Sequence, residues 1–315
     1  MTLGQLNAFV LVARLGSVTD AAKALGVSEP AVSQALAALR LHHGDKLLTK
    51  RAGGMTLTAG GSRLLPIASQ MVALGAEADA AVRQANGVAA RLQLAVTSEI
   101  AEFVANPLLE AFTRRSGNSI DASAGLARTT ELAVLVANRL ADVALGPELT
   151  GDAAKGLDCV PVFRGSLVVV GASNSRHQGS PAHWRWLLDP AGADPGSDTL
   201  RLLRRLGVPD EGIQIFPNQT AAWSAAASGA GVSVALEHLV APQLRRHELA
   251  VVPTRGTPMS LCWHVTTLPT DRRSGAANSL RHFLGTPAAM QVMRSPGSGV
   301  PPSRFRPPVY VTIWS

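Results

Sequence analysis

Ser28, Glu29, Ala31, Ser33, Gln34, Ala38 and Arg40 crowd into one short segment, and they are small, polar or charged. Such side chains suit the edges of base pairs: an amide like that of Gln34 pairs with adenine, a carboxylate like that of Glu29 accepts from cytosine, and small neighbours let a helix approach closely. Lys50 and Arg51 follow a few residues later. Their charge suits phosphate oxygens, which fix affinity and register without reading sequence.

Two short amphipathic helices joined by a tight turn must hold that first group. Ser17 with Asp20 resembles a capping box, Gly26 stops the first helix, and Ser28 stands as N-cap before Glu29 and Pro30. On the second helix Val32, Leu36 and Leu39 fall at i, i+4 and i+7, so that stripe is buried and the polar one exposed. Residues 46–57 read as a hairpin turning at Gly53 and Gly54, with Lys50 and Arg51 at its tip. Residues 58–88 predict one long helix, bent at Pro66. Leu64, Ala68, Met71, Gly75, Ala78 and Val82 form on it a heptad-like seam of small and apolar residues that admits a second helix.

Beyond Arg91 strands and helices alternate. Strands are expected at 92–96, 120–124, 143–146, 166–171, 213–217 and 232–236 and near Leu249 and Leu261, and helices at 101–115, 130–140, 183–188, 198–206, 219–228, 237–246 and 275–284. That order means a mainly parallel α/β unit. Residues 189–198 carry Pro, Gly and Asp where an apolar strand would be expected, and residues 285–315 are dense in Pro and Gly, as in a linker without packed structure.

The N-terminal pattern resembles the LysR-type transcriptional regulators. It is carried by Leu3, Leu6, Phe9, Val12, Ala13, Gly16, Ser17, Ala21, Ala22, Leu25, Val27, Ser28, Pro30, Ala31, Val32, Ser33, Leu36, Leu39, Gly44, Leu47, Arg51, Leu57, Thr58 and Gly60, in order and without gaps. Glu29, Arg40 and Leu48 depart from it, standing where Gln, an acidic residue and Phe are usual. The Glu29 change bears on which bases are read rather than on whether DNA is bound. The resemblance implies a winged helix-turn-helix at 1–58, a linker helix at 59–88 pairing two subunits through Leu64, Ala68, Met71, Ala78 and Val82, and an effector-binding α/β domain at 89–285. It covers the last region more loosely. It implies there two Rossmann-like subdomains resembling periplasmic binding proteins, about 89–160 with 265–285 and 161–264, the chain crossing near Pro161 and His264, with 286–315 as a tail.

A ligand between such subdomains meets the carboxyl ends of strands and the starts of helices, where Thr97, Ser98, Thr129, Thr130, Ser197 and Thr220 fall. Hydroxyls beside helix dipoles suit a small carboxylate, although each residue also serves as an ordinary N-cap. The partners implied are double-stranded DNA, a small-molecule effector, further copies in a homodimer or homotetramer, and RNA polymerase as a candidate.

Composition agrees. The 315 residues are 46% apolar with net charge +7, and residues 1–65 hold seven Lys or Arg against three Asp or Glu. Basic charge beside a helix-turn-helix is what a phosphate-binding surface needs. Gly229-Ala230-Gly231 follows a helix and precedes a strand, the wrong context for a dinucleotide loop, and no nucleophile elbow, Walker loop or paired-histidine zinc motif occurs. A solute-binding module or an α/β enzyme is the alternative reading, and the residues favour neither; no cofactor or metal is expected. Cys159 and Cys262, far apart in the chain, read as inert thiols rather than a redox pair, and the adjacent His42 and His43 point to different helix faces. The apolar stretch 9–13 is too short for a signal peptide and no run spans a membrane, which predicts a cytoplasmic protein.

Overall fold

Each of the first three helices starts on a side chain that satisfies its free amides. In the computed structural model, which describes residues 1–51, 54–85, 88–175 and 179–295, Thr2 and Gln5 close a capping box on α1 (Leu3–Leu15). The Ser17 hydroxyl accepts from the Asp20 amide at 3.2 Å to begin α2 (Val18–Leu25), and Ser28 accepts from the Ala31 amide at 3.4 Å to begin α3 (Glu29–His43). The expected capping box at Ser17 is half formed: the Asp20 carboxylate turns outward to ion pairs. Leu6, Phe9 and Val12 of α1 meet Ala21 and Ala22 of α2 and Val32, Leu36 and Leu39 of α3 in one buried cluster. The polar stripe of α3 therefore faces out.

Strands β1 (Leu48–Arg51) and β2 (Gly54–Leu57) form the antiparallel wing, with Leu48 opposite Leu57. The Met55 amide donates to the Gly16 carbonyl at 2.9 Å, which docks the wing on the end of α1. Gly53 lies outside the described residues.

α4 (Ala59–Ala85) runs on through Pro66 for about 40 Å at 1.5 Å per residue. Its expected seam is divided. Ala68 is fully buried and Leu64 half-buried in the cluster that holds α1, and a Cβ on Gly75 would stand 2.7 Å from a Leu3 methyl. These residues face the chain's own α1. Met71, Ala78 and Val82 are exposed, and Ile67 and Leu74, which the expected seam omitted, are exposed with them. Apolar residues on two faces of one helix left both stripes open in sequence, and the position of α1 decides between them.

The second unit runs β3 (Ala90–Val96), α5 (Ser98–Phe103), α6 (Ala105–Ser116), β4 (Ile120–Leu126), α7 (Thr129–Ala137), β5 (Val143–Gly146), β6 (Asp158–Ala172), β7 (Trp186–Leu188), α8 (Asp198–Arg205), β8 (Ile213–Ile215), α9 (Gln219–Ala227), β9 (Val232–Leu236), α10 (Glu237–Arg245), β10 (Leu249–Val251), β11 (Met259–Thr267), α11 (Gly275–Leu284) and α12 (Pro287–Arg294). Strands pair in the order β4-β3-β5-β11-β6-β9-β7-β8, with β10 on β6. β4, β3 and β5 are parallel, as are β9, β7 and β8, whereas β6 and β11 run antiparallel to each other and to the parallel strands beside them. Two α/β subdomains thus share one sheet through β6 and β11. Their register shifts between Trp263 and His264, where His264 stands opposite Pro161.

Three expectations are corrected. Residues 183–188 end in a strand, β7, rather than a helix, because Trp186, Leu187 and Leu188 are all buried and too few to show a period. That strand supplies the one missing near residues 189–198. Residues 101–115 divide at Val104 into α5 and α6. The linker expected from residue 285 contains α12 instead: Thr286 caps it, and Ala289 and Met293 are fully buried in the core with α6. Residues 296–315 lie outside the described residues.

Gly229 and Gly231 serve the fold. Gly229 adopts a φ of 86°, and a Cβ on Gly231 would fall 2.4 Å from the Arg185 carbonyl oxygen, which accepts from Val232 at 2.9 Å. Gly231→Ala is therefore expected to destabilise the second unit by about 1–3 kcal/mol through overpacking. Thermal unfolding of the variant checks this, an unchanged melting temperature being the contrary result.

Candidate nucleic-acid interface and ligand cavity

Ser28, Glu29, Ala31, Ser33 and Gln34 are all exposed on α3. They share the side away from Val32, Leu36 and Leu39, as a groove-reading helix requires. Arg40 is partly buried and its Nε donates to the Lys46 carbonyl at 3.0 Å, so this guanidinium ties the end of α3 to the entry of the wing. Lys50 is exposed on β1; Arg51 ends that strand, and its side chain lies outside the described residues. Leu41, two turns beyond Gln34, is 87% exposed and extends the same face with an apolar side chain, a feature that sequence reasoning passed over.

A cavity of about 720 Å³ opens between the two subdomains and reaches α2. Of the six hydroxyl residues expected there, Thr97, Ser98, Thr129 and Ser197 line it. Ser197 is also the cap of α8, accepting from the Leu200 amide at 3.0 Å and donating to the Gly192 carbonyl at 2.7 Å. Thr130 is exposed and is not among the lining residues, and the Thr220 hydroxyl donates to the Glu102 carboxylate. Glu99, Arg128, Asp194, Asp198, Gln219 and Trp223 also line the cavity and were not foreseen.

Carboxylates dominate its electrostatics. Glu102, fully buried on α5, crosses to the start of α9 and accepts from the amides of Gln219 at 3.2 Å and Thr220 at 3.0 Å. Burial raises its pKa, and the hydrogen bonds from Thr220 and Gln219 oppose that. Asp189, at the end of β7, is fully buried as well; its Oδ1 accepts from the Gly192 amide at 2.9 Å and from Gln219 Nε2 at 3.0 Å. Burial raises this pKa also. Glu99 is pushed up to about 7, first by burial and then by the charge of Asp189. At the rim, Arg128 bonds Glu131 at 2.6 Å and Asp20 of α2 at 3.0 Å, which joins the cavity wall to the helix-turn-helix.

Cys159 stands opposite Thr266 and Cys262 opposite Arg164, at different levels of the β6–β11 ladder, and both thiols are free. No cluster of possible metal ligands occurs among the described residues, and none of their helices is long and apolar enough to cross a membrane.

The family description "Bacterial regulatory helix-turn-helix protein, lysR family" matches residues 3–62, and "LysR substrate binding domain" matches residues 85–288. The chain belongs to the LysR family of transcriptional regulators. It is 33% identical, over 100% of both chains, to the uncharacterized HTH-type transcriptional regulator Rv0377 of Mycobacterium tuberculosis. It is 30% identical to the HTH-type transcriptional regulator CfxR of Cupriavidus necator, across 90% of this chain and 91% of that one. The crystal structure of ArgP from Mycobacterium tuberculosis shares the fold, with a TM-score of 0.56 and 21% identity over 90% of this chain and 96% of that one. This LysR-type protein is thus a DNA-binding transcriptional regulator with an effector-binding domain, not an enzyme.

Proposed function

We propose that this regulator reads DNA through Ser28, Glu29, Ala31, Ser33 and Gln34 of α3, anchors phosphates through Lys50 and Arg51 of the wing, and adjusts both to an effector held in the cavity between the subdomains. The chain then divides into a DNA-binding head at 1–58, a linker helix at 59–88 and an effector domain that begins at 89 and includes α12, and it works in the cytoplasm, where its DNA is. Arg40 acts by holding the wing against α3. Two copies pair along the exposed stripe Ile67, Met71, Leu74, Ala78 and Val82 of α4, which sets two reading helices on neighbouring major grooves. Ala68 and Leu64 support that seam from behind, through α1.

The observation that carries the coupling is the Arg128 guanidinium. It lines the cavity at the start of α7 and is paired at once with Glu131 and with Asp20 of the helix-turn-helix. A ligand that binds the open and closed cleft unequally moves this contact, and α2 moves with it. The pair is half exposed, so its worth is bounded at about 1 kcal/mol. Arg128→Met is expected to change the affinity for operator DNA about two- to fivefold and to alter the protected footprint, and Arg128→Lys, which keeps the charge between Asp20 and Glu131, to retain most of both. Footprinting and titration against the DNA upstream of the gene check this. Unchanged affinity and footprint in Arg128→Met would remove the coupling.

A further inference from the structure

Three of the helix starts that meet the cavity, those of α7, α8 and α9, are already supplied with the chain's own polar and acidic groups, while Thr97 at the start of α5 makes no capping hydrogen bond. Glu131 accepts from the Arg128 amide at 2.9 Å at the start of α7, Ser197 caps α8 with Asp198 in its first turn, and Glu102 takes the amides that begin α9. A carboxylate ligand would have to displace these groups. The lining holds five acids, Asp20, Glu99, Glu131, Asp194 and Asp198, against two bases, Lys23 and Arg128, and both bases lie within ion-pair reach of Asp20. No ion pair among the described residues reaches Glu99, Glu102 or Asp189.

A second observation points the same way. Gln219 is 4% exposed and lines the cavity; its Nε2 is committed to Asp189, and its Oε1 has no partner among the described residues. An unpaired buried acceptor costs about 1–3 kcal/mol, so Gln219 Oε1 at the cavity wall calls for a hydrogen-bond donor. Trp223, stacked on Phe103, and Trp263, packed against Phe163 and His238, close the wall.

We propose that the cavity takes an organic cation, an ammonium or guanidinium compound, whose N–H donors meet the Glu99 carboxylate and Gln219 at the cavity wall, with Asp189 behind Gln219 adding negative charge and holding its amide. This rests on the reading of the cavity as the effector site and gives that effector its chemical class. It replaces the small carboxylate expected from the hydroxyl residues. The groups that face Glu99 are Asp189 after β7 and Asp198 at the start of α8, with the Thr97 hydroxyl bonded to it; burial first, and then the charges of these two acids, push its pKa up to about 7. Below that pH Glu99 is protonated and attracts a cation weakly, so binding tightens as pH rises through about 7 and releases protons as it does so.

Calorimetric titration of the full-length protein with agmatine, putrescine and L-arginine, against succinate and glutarate, tests the class. The expected result is saturable binding of at least one cation and of neither dicarboxylate, tighter at about pH 8 than at about pH 6, and weakened about tenfold in the isosteric Glu99→Gln. Asp189→Asn, expected to weaken it too, gives a second variant, and thermal melts establish that each folds. Preference for a dicarboxylate, saturation by none of the cations, or equal cation affinity in folded Glu99→Gln would each overturn the proposal. The same preparation is titrated with operator DNA: intact DNA binding beside failed cation binding rejects the ligand class alone, whereas loss of selective DNA binding rejects the regulatory reading itself.

Discussion

Phe9→Ala is expected to destabilise the N-terminal unit by about 3–5 kcal/mol and to abolish selective DNA binding at ordinary growth temperatures. The ring is fully buried and lies in the cluster where α1, α2 and α3 meet, so its removal deletes apolar contacts and leaves a cavity walled by rigid helices. A small unit has little stability to spare, so a loss of this size consumes most of it. Calorimetric or far-ultraviolet circular dichroism melting of the full chain should show an early transition for the N-terminal unit, which holds no Trp, with the second core, which holds Trp186 and Trp223, melting as before. A single transition at the wild-type temperature would contradict the placing of Phe9 at the centre of that core.

Gln34→Ala is expected to cost about 1–3 kcal/mol of discrimination at one base pair of the operator, roughly five- to 150-fold, while affinity for random duplex stays nearly constant. Gln34 is exposed among Ser33 and Ala31 and makes no hydrogen bond among the described residues that would hold it to the fold, so truncation removes a reading group and no structural one. Competition with operators changed one base pair at a time should find a single position at which the variant no longer distinguishes the bases. Uniform weakening at every position would assign Gln34 to phosphate contact or to folding instead.

What the sequence disclosed was local or repeated. Ser17, Gly26 and Ser28 act within one turn of their own positions, so the boundaries of α2 and α3 could be read from residue type alone. The alternation of strands and helices beyond Arg91 is a repeated signal, and it gave the α/β class. Contacts between distant segments were hidden. The apolar residues of α4 satisfy two stripes, and only the docking of α1 shows that Ala68 is covered while Ile67 and Leu74 are bare. The strand at Trp186 is three residues long, too short for a period to show. α12 is short and follows a glycine, and it is stabilised by Ala289 and Met293 entering a core built elsewhere.

The cavity shows the same division. Thr97, Ser98, Thr129 and Ser197 were found because strand ends and helix starts are local features. Glu99 and Glu102 were missed because two acids in a short helix read as a solvated face. Their meaning comes from partners ninety or more residues away: Asp189 raises the pKa of Glu99, and Thr220 and Gln219 bond Glu102. Arg128 was passed over for a similar reason, since its partner Asp20 lies in the other unit of the chain.

The most direct test of the account is titration of the purified full-length protein against the DNA upstream of its own gene and against random duplex, over a series of salt concentrations, with Arg51→Ala beside the wild type. The account predicts selective binding that weakens with salt, a shallower salt slope in Arg51→Ala by about one phosphate contact, and selectivity that survives that substitution. Equal affinity for both duplexes at every salt concentration would contradict it, because charge alone would then explain the binding and the exposed face of α3 would read nothing there.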